Sequence, residues 1–314
     1  MSAVSMTGVT SPPRARAYIT AHMFRHHGRS GGVSIEALVP KGTAQQQDAA
    51  LRGHIEAGSS WCDSVIGPAV MGATADTFQE TVNINRDGLA YVAPRYRPVV
   101  GVTAVAIGPR VDQLRELADL SAVSVEEQAF TVPVGVGGRL TSSAGPIEFG
   151  AISAPWRDAV IRYTVVTGYP VATMTATAAA GAIQLTVDDT TGIVAGKTWL
   201  TIYALERRHQ ALVTSVSTAD AGGLGFGPGT IGLSSALPAA IEVADPDSAP
   251  LVSAMPPTLI DAVVLATRGI IKEAGRSSSS STTSRSAPKS SRANAGDDFA
   301  AAEAILLKHF VLDR

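Results

Sequence analysis

Six histidines are the first residues to test for chemistry: His22, His26, His27, His54, His209 and His309. Only His22 and His26 have the four-residue spacing that places two imidazoles on one helical face. No Asp or Glu stands beside them, as a helical metal site would require. Solvated or hydrogen-bonded imidazoles are the expectation, and a metal is not. "VGVGGRL" carries Gly135, Gly137 and Gly138 but lacks the third glycine of a dinucleotide fingerprint, and it runs into "TSSAGP" instead of a helix. It reads as a flexible loop, and no Lys-Ser/Thr phosphate loop occurs. In "GRSGG", Ser30 lies between Arg29 and Gly31, so the G-x-S-x-G elbow of a nucleophilic serine is not formed. Adjacent carboxylates occur at Glu126-Glu127, Asp188-Asp189 and Asp297-Asp298. They read as a solvated rim, a β-turn and a helix cap, because none adjoins an apolar pocket that would shift its pKa. Arg207-Arg208-His209 reads as a solvated hairpin tip. The single cysteine, Cys62, excludes an internal disulfide and any Cys-based zinc site. The expectation is a chain with no catalytic residue, cofactor or metal.

Composition carries the same weight toward structural work. The 314 residues suit two domains, or one domain with a large insertion. Hydrophobic residues make up 45% and charged residues only 17%, against about 25% in ordinary soluble domains. The excess comes from Ala, Val and Gly; an Ala-rich genome would account for it, and so would surface covered by neighbouring subunits, where charge is depleted. A net charge of -2 gives no support to a nucleic-acid groove. No apolar run approaches the ~20 residues of a membrane span, and residues 1–16 lack the apolar core of a secretory leader. A soluble intracellular protein without membrane contact is expected.

The elements available to position these residues predict an α+β chain, with a helical body from both chain ends and a β-rich middle. Residues 1–16 are Ser/Pro/Arg-rich and predict a poorly ordered start. In residues 17–68, "AYITAHMFRHH" predicts a short helix with Tyr18, Ile19, Met23 and Phe24 as apolar members, and "SIEALVP" one capped turn. Thr43 and Gln46 then form a capping-box pattern. Leu51, Ile55, Gly58, Cys62 and Val65 follow on one helical face. Gly58, Ser59 and Ser60 in mid-helix permit a close backbone approach, by a helix of this chain or by a neighbouring subunit. Residues 69–171 switch to strand periodicity. A hairpin turns at Asn85–Gly88, "RPVVGVTAVAIG" alternates as a strand, and "RVDQLRELADL" is a brief helical candidate. "EQAFTVPVGV", "GPIEFGAI" and "DAVIRYTVVTGYPV" extend the strand series.

Residues 172–245 read as a separable unit of short strands, a small barrel or sandwich. A helix over residues 256–275 follows, capped by Thr258, with Leu259, Val263, Ala266 and Ile270 as its inner stripe and Gly275 as its end. Residues 276–296 are too polar to offset the entropy of ordering. In residues 297–314, Asp297 caps a last helix with Phe299, Ala302, Ile305, Leu306 and Phe310 as apolar members. Such a helix is marginal alone and must pack on something, here expected to lie outside its own core.

This order of pieces resembles the head-to-tail connector proteins of long-tailed bacteriophages, in the actinobacterial-phage form with a β insertion. The likeness is carried by Gly58, Ser59, Trp61 and Asp63 at the end of a helix. Pro98, Val99, Val102 and Val105 of a "P-V-x-x-V-x-x-V" strand follow, then the closing pair "PPTLIDAVVLATRGIIKEAG" and "DDFAAAEAILLKHFVLDR". It covers residues 18–108, 156–170 and 256–314. It implies a virion protein of the capsid–tail neck, made in the host cytoplasm. The protein would form a homo-oligomeric ring, commonly dodecameric, beneath the portal protein and above a stopper or tail-side ring protein. Genomic DNA would pass through the ring without sequence recognition, and no catalysis is implied. For the portal interface the expectation names Leu306, Leu307, Phe310 and Leu312, and for subunit packing Gly58, Ser59 and Trp61. Two alternatives stay open: a stopper or tail-completion ring protein, and a carbohydrate- or cell-surface-binding module using Trp199 and Tyr203 of the β unit.

Overall fold

The computed structural model describes residues 17–31, 33–66, 71–85, 88–134, 139–142, 145–148, 157–204, 207–218, 227–243, 249–278 and 295–310. Among them are four α-helices and two curled antiparallel sheets, a mixed α+β fold. Residues 1–16, the loop at Gly135–Gly138 and residues 279–294 of the expected linker lie outside this set, while 276–278 and 295–296 at the linker's two ends are helical.

Helix α1 (Ala21–His26) is capped by Thr20, whose hydroxyl accepts from the Met23 N–H. Tyr18 and Ile19 precede the helix they were expected to join and are buried. Helix α2 (Ala44–Ile66) opens with the expected capping box. The Thr43 N–H donates to Gln46 Oε1 at 2.9 Å, and the Gln46 N–H to Thr43 Oγ1 at 3.3 Å. Helix α3 (Pro257–Ser278) starts at a proline, whose fixed φ suits a first helical position, and runs past Gly275. Thr258 does not cap it; its hydroxyl pairs with His309 Nε2 at 2.7 Å. The expected inner stripe is too narrow, since every residue from Ala262 to Thr267 is buried. A helix apolar all round is a buried one. Helices α2 and α4 (Ala295–Phe310) both pack on α3, and Tyr203, Leu251 and Val171 join the same core.

The first sheet is built on β1 (Thr74–Ile84), which pairs with β9 (Arg157–Thr167) along its full length, from Thr74↔Thr167 to Ile84↔Arg157. β1 turns into β2 (Leu89–Val92) at Asn85, whose side-chain oxygen accepts from the Leu89 N–H at 2.8 Å, with Gly88 at φ +74°. On the other side of β9 lies β3 (Val99–Gly108), and here the expected strict alternation fails. Two register shifts, at Val99/Gly101 and Val102/Ala104, each insert one residue. The positions that join this sheet's core become Val99, Val102, Val105 and Ile107, so the three-residue valine spacing in the sequence is that of a twice-bulged strand.

The helix expected in "RVDQLRELADL" reduces to a single 3-10 turn, Val111–Gln113, followed by edge strand β4 (Arg115–Glu116). The open backbone groups of β3 take this segment as a strand, with the Leu117 N–H donating to the Val105 carbonyl at 2.8 Å. Strands β5 (Ser124–Val125) and β6 (Phe130–Pro133) complete the order β4-β3-β9-β1-β2-β6-β5. A separate hairpin joins β7 (Arg139–Ser142) to β8 (Gly145–Glu148).

The second sheet comprises β10 (Val171–Thr173), β11 (Gln184–Val187), β12 (Trp199–Ala204), β13 (Arg207–Thr218), β14 (Gly229–Leu233) and β15 (Leu251–Ser253), ordered β10-β15-β12-β13-β14-β11. Its outer strands meet: Met174, just past β10, bridges Val187 of β11. Leu185, Val187, Leu200, Ile202, Val213 and Ile231 fill its interior. The sheet also takes β15 from beyond residue 245.

Candidate interface surfaces

The small residues of α2 face inward. A Cβ on Gly58 would lie 2.9 Å from the backbone N and 3.0 Å from the Cα of Thr267 on α3, so glycine is what lets these helices touch. Thr267 Oγ1, at the same crossing, is buried without a hydrogen-bond partner. Ser59 is fully buried; its Oγ donates to the Ile55 carbonyl at 2.9 Å and accepts from the Tyr18 N–H at 3.2 Å. Trp61 stacks on Phe299 of α4, ring centroids 4.9 Å apart. Gly58, Ser59 and Trp61, named above for subunit packing, each make contacts within this chain. The physical reason is that α2 borders α3 and α4 on the face these residues occupy.

Asp63, which ends the same motif, accepts from Tyr18 Oη at 2.8 and 3.0 Å and from the Met71 N–H at 2.9 Å. Tyr18 Oη in turn accepts from the Gly72 N–H at 3.1 Å. The carboxyl thus pins the entry to α1 and the entry to β1 against the end of α2. Burial is the main influence on it and pushes its pKa up to about 6, although these hydrogen bonds pull the other way.

Helix α4 is clamped to α3 by charge. Asp298 is buried and paired with Arg268, and it accepts from Lys272 Nζ at 2.6 Å. Arg268 also donates to the Arg29 carbonyl at 2.7 Å, so one guanidinium ties three segments together. Burial alone would raise the Asp298 pKa, but the bonds and charges of Arg268 and Lys272 outweigh it and hold the carboxyl below its ordinary value. Asp297 and Asp298 were read as a helix cap; instead α4 begins at Ala295 and Asp298 is this clamp.

The residues expected at a portal interface separate. Leu306 is fully buried in the helical core, and Phe310 is half-buried against Tyr169 at a ring-centroid distance of 6.4 Å. Leu307 is 39% exposed, and Leu312 lies outside the described residues. In this structure the apolar face of α4 packs on the chain's own helices through Ala302 and Leu306. The stripe it presents fits the α3 face because Gly269 admits the Phe299 ring, which a Cβ there would meet at 2.9 Å.

A cleft of about 410 Å³ opens between the two sheets. Val99, Val125, Val194 and Pro170 give it apolar walls, with Glu126 and Glu127 on the β5–β6 turn and Lys197 and Trp199 at the start of β12. Its floor is fixed by backbone bonds: Val99 N–H to the Glu127 carbonyl at 2.8 Å, Gly168 to Pro98 at 3.0 Å, and Ala254 to Pro170 at 2.9 Å. Trp199 is 64% exposed, whereas Tyr203, paired with it in the saccharide-binding alternative, is buried in the helical core. In the sequence Trp199 and Tyr203 lie on one strand face and suit core packing as well as a binding groove; the structure exposes the first and buries the second. The charged rim was not visible in sequence, because its members come from turns far apart in the chain.

His22 and His26 stack on each other at 4.3 Å, and no group of three or more His, Cys, Asp or Glu among the described residues could hold a metal ion. No described helix is long and apolar enough to cross a membrane. Comparison with protein-family models, with curated proteins and with solved structures finds no match.

Proposed function

We propose that this chain is a structural connector of a phage neck, assembling as a ring that joins a portal to the tail side and surrounds DNA without reading it. One observation supports this above the others. The helices α1–α2 and α3–α4 share a single core, which the six-stranded sheet joins through Val171, Tyr203 and Leu251. Their order along the chain is the one carried by the connector likeness: helix, long antiparallel strands, inserted β unit, closing helix pair. On this proposal the four helices form the body of a subunit, and the six-stranded sheet, whose outer strands meet at Met174, is an inserted small barrel. Contact with the portal falls to the outer face of α4, where Glu303, Leu307 and Lys308 are exposed.

The test is co-sedimentation of the full chain with portal rings, comparing wild type with Leu307→Asp/Lys308→Glu. These substitutions leave the buried face of α4 intact, which deletion of the helix would not. Co-sedimentation of wild type and its loss in the variant is expected. Failure of wild type to bind portal, with binding to a tail-side ring instead, would favour the stopper alternative. A saccharide-binding module is supported by Trp199 alone among the two aromatics first considered.

A further inference from the structure

The cleft between the sheets has a counterpart elsewhere on the same molecule. At the far end of β3 the chain makes a protruding turn, Arg110-Val111-Asp112, with all three residues exposed and Val111 59% so. The turn is stiff. The Gln113 N–H donates to the Arg110 carbonyl at 3.1 Å, and Gly108 packs so closely under it that a Cβ would lie 2.8 Å from the Gln113 carbonyl carbon. Its pattern is cation, apolar, anion. The cleft offers the reverse: Glu126 and Glu127, an apolar wall with Trp199, and Lys197. None of these five charged side chains has an ion-pair partner among the described residues.

The cleft lies at the Val99 end of β3 and the turn beyond its Gly108 end, about 30 Å apart at the rise of an extended strand. The two surfaces cannot meet within one chain. We propose that the Arg110–Asp112 turn of one copy seats in the Glu126/Glu127/Trp199 cleft of the next, a heterologous contact. Such contacts, repeated, close into a ring or continue as a filament. This inference rests on the assembly proposed above and names its contact. Charge reciprocity is what selects a second copy over a saccharide, since a Val-walled cleft offers few groups to pair with hydroxyls and a good seat for an apolar side chain flanked by charges.

The experiment measures assembly of the full chain by sedimentation velocity, free and on portal rings. It compares wild type, Arg110→Glu, and the pair Glu126→Arg/Glu127→Arg. The β5–β6 turn keeps its backbone bond to Val99 in the paired variant, and thermal unfolding checks that each variant folds. Each variant alone is expected to associate at least tenfold more weakly, and their equimolar mixture to recover assembly, because the swapped charges again face opposites. Variants that assemble like wild type would overturn this contact while leaving the ring proposal standing, and so would a mixture that fails to recover. A wild type that stays monomeric both free and with portal would overturn both. A fluorescence change on adding a soluble oligosaccharide or a basic peptide, abolished by Trp199→Phe, would give the cleft to another occupant and sink the proposal.

Discussion

Replacing Gly58 with alanine sets two effects of opposite sign against each other. In the interior of a helix the change by itself stabilises by about 1 kcal/mol. At this position the new methyl would meet Thr267 N at 2.9 Å and Thr267 Cα at 3.0 Å, whereas carbon contacts are comfortable at roughly 3.5–4.0 Å. Helices α2 and α3 would have to part by about half an ångström or more, loosening Leu51, Ile55 and Cys62 along the same stripe. Overpacking of this kind costs about 1–3 kcal/mol, and although the Thr267 hydroxyl, which the new methyl also meets, could turn, the backbone atoms cannot rotate away. The net expectation is a destabilisation of about 1 kcal/mol.

Thr267→Ala removes a buried hydroxyl that has no hydrogen-bond partner among the described residues, a gain, but also a buried methyl, so a small loss of about 1 kcal/mol or less is expected. Combined with Gly58→Ala it relieves the side-chain clash but not the backbone one, and only part of the loss should return. Urea unfolding of wild type, both single variants and the double variant measures all three quantities. A Gly58→Ala protein at least as stable as wild type would refute the reasoning, because it would mean that helix propensity, and not the crossing, decides the residue.

Asp298→Ala leaves Arg268 and Lys272 partly buried without their counter-charge, a loss of about 3–5 kcal/mol for a buried pair. Amide exchange across residues 295–310 should quicken at least about a hundredfold, with β1 and β9 unchanged; unaltered protection of α4 would show that its apolar face alone holds it. Asp63 has its folded pKa raised from 3.8 to about 6. Protonation therefore favours the fold: the stability this group contributes is full below pH 3.8 and is lost as pH rises through 6. The shift corresponds to about 3 kcal/mol at most. Asp63→Asn should be the more stable protein at pH 7, and its advantage should shrink as pH falls from 6 to 4. An advantage independent of pH in urea titrations would exclude the carboxyl as the cause.

What could be read in advance followed local physics. The Thr43–Gln46 box, the α2 stripe and the Asn85–Gly88 hairpin each depend on residues within a few positions of one another, and each is present. The failures involve partners distant in sequence. Leu114, Leu117 and Leu120 have a spacing that suits a helix, but the open edge of β3 claims Leu117. The inner stripe of α3 names four residues, but α2 and α4 both pack on this helix and every residue from Ala262 to Thr267 is buried. Asp298 looks like a cap until Arg268 and Lys272 are brought to it from the preceding helix. Gly58 told of a close approach but not of which backbone makes it, since Thr267 lies beyond the whole β-rich middle.

That separation also bears on how the chain comes off the ribosome. α2 is complete by Ile66, and its packing partner α3 does not begin until Pro257. At ordinary synthesis rates of about 5–20 residues per second, the stripe of Leu51, Ile55 and Cys62 waits on the order of 10 s or more for its cover. Until then only the segment around α1 can cover part of this stripe, and the face that meets α3 stays open. Slow folding is the expectation for a core that joins α2 to a helix the whole β-rich middle away.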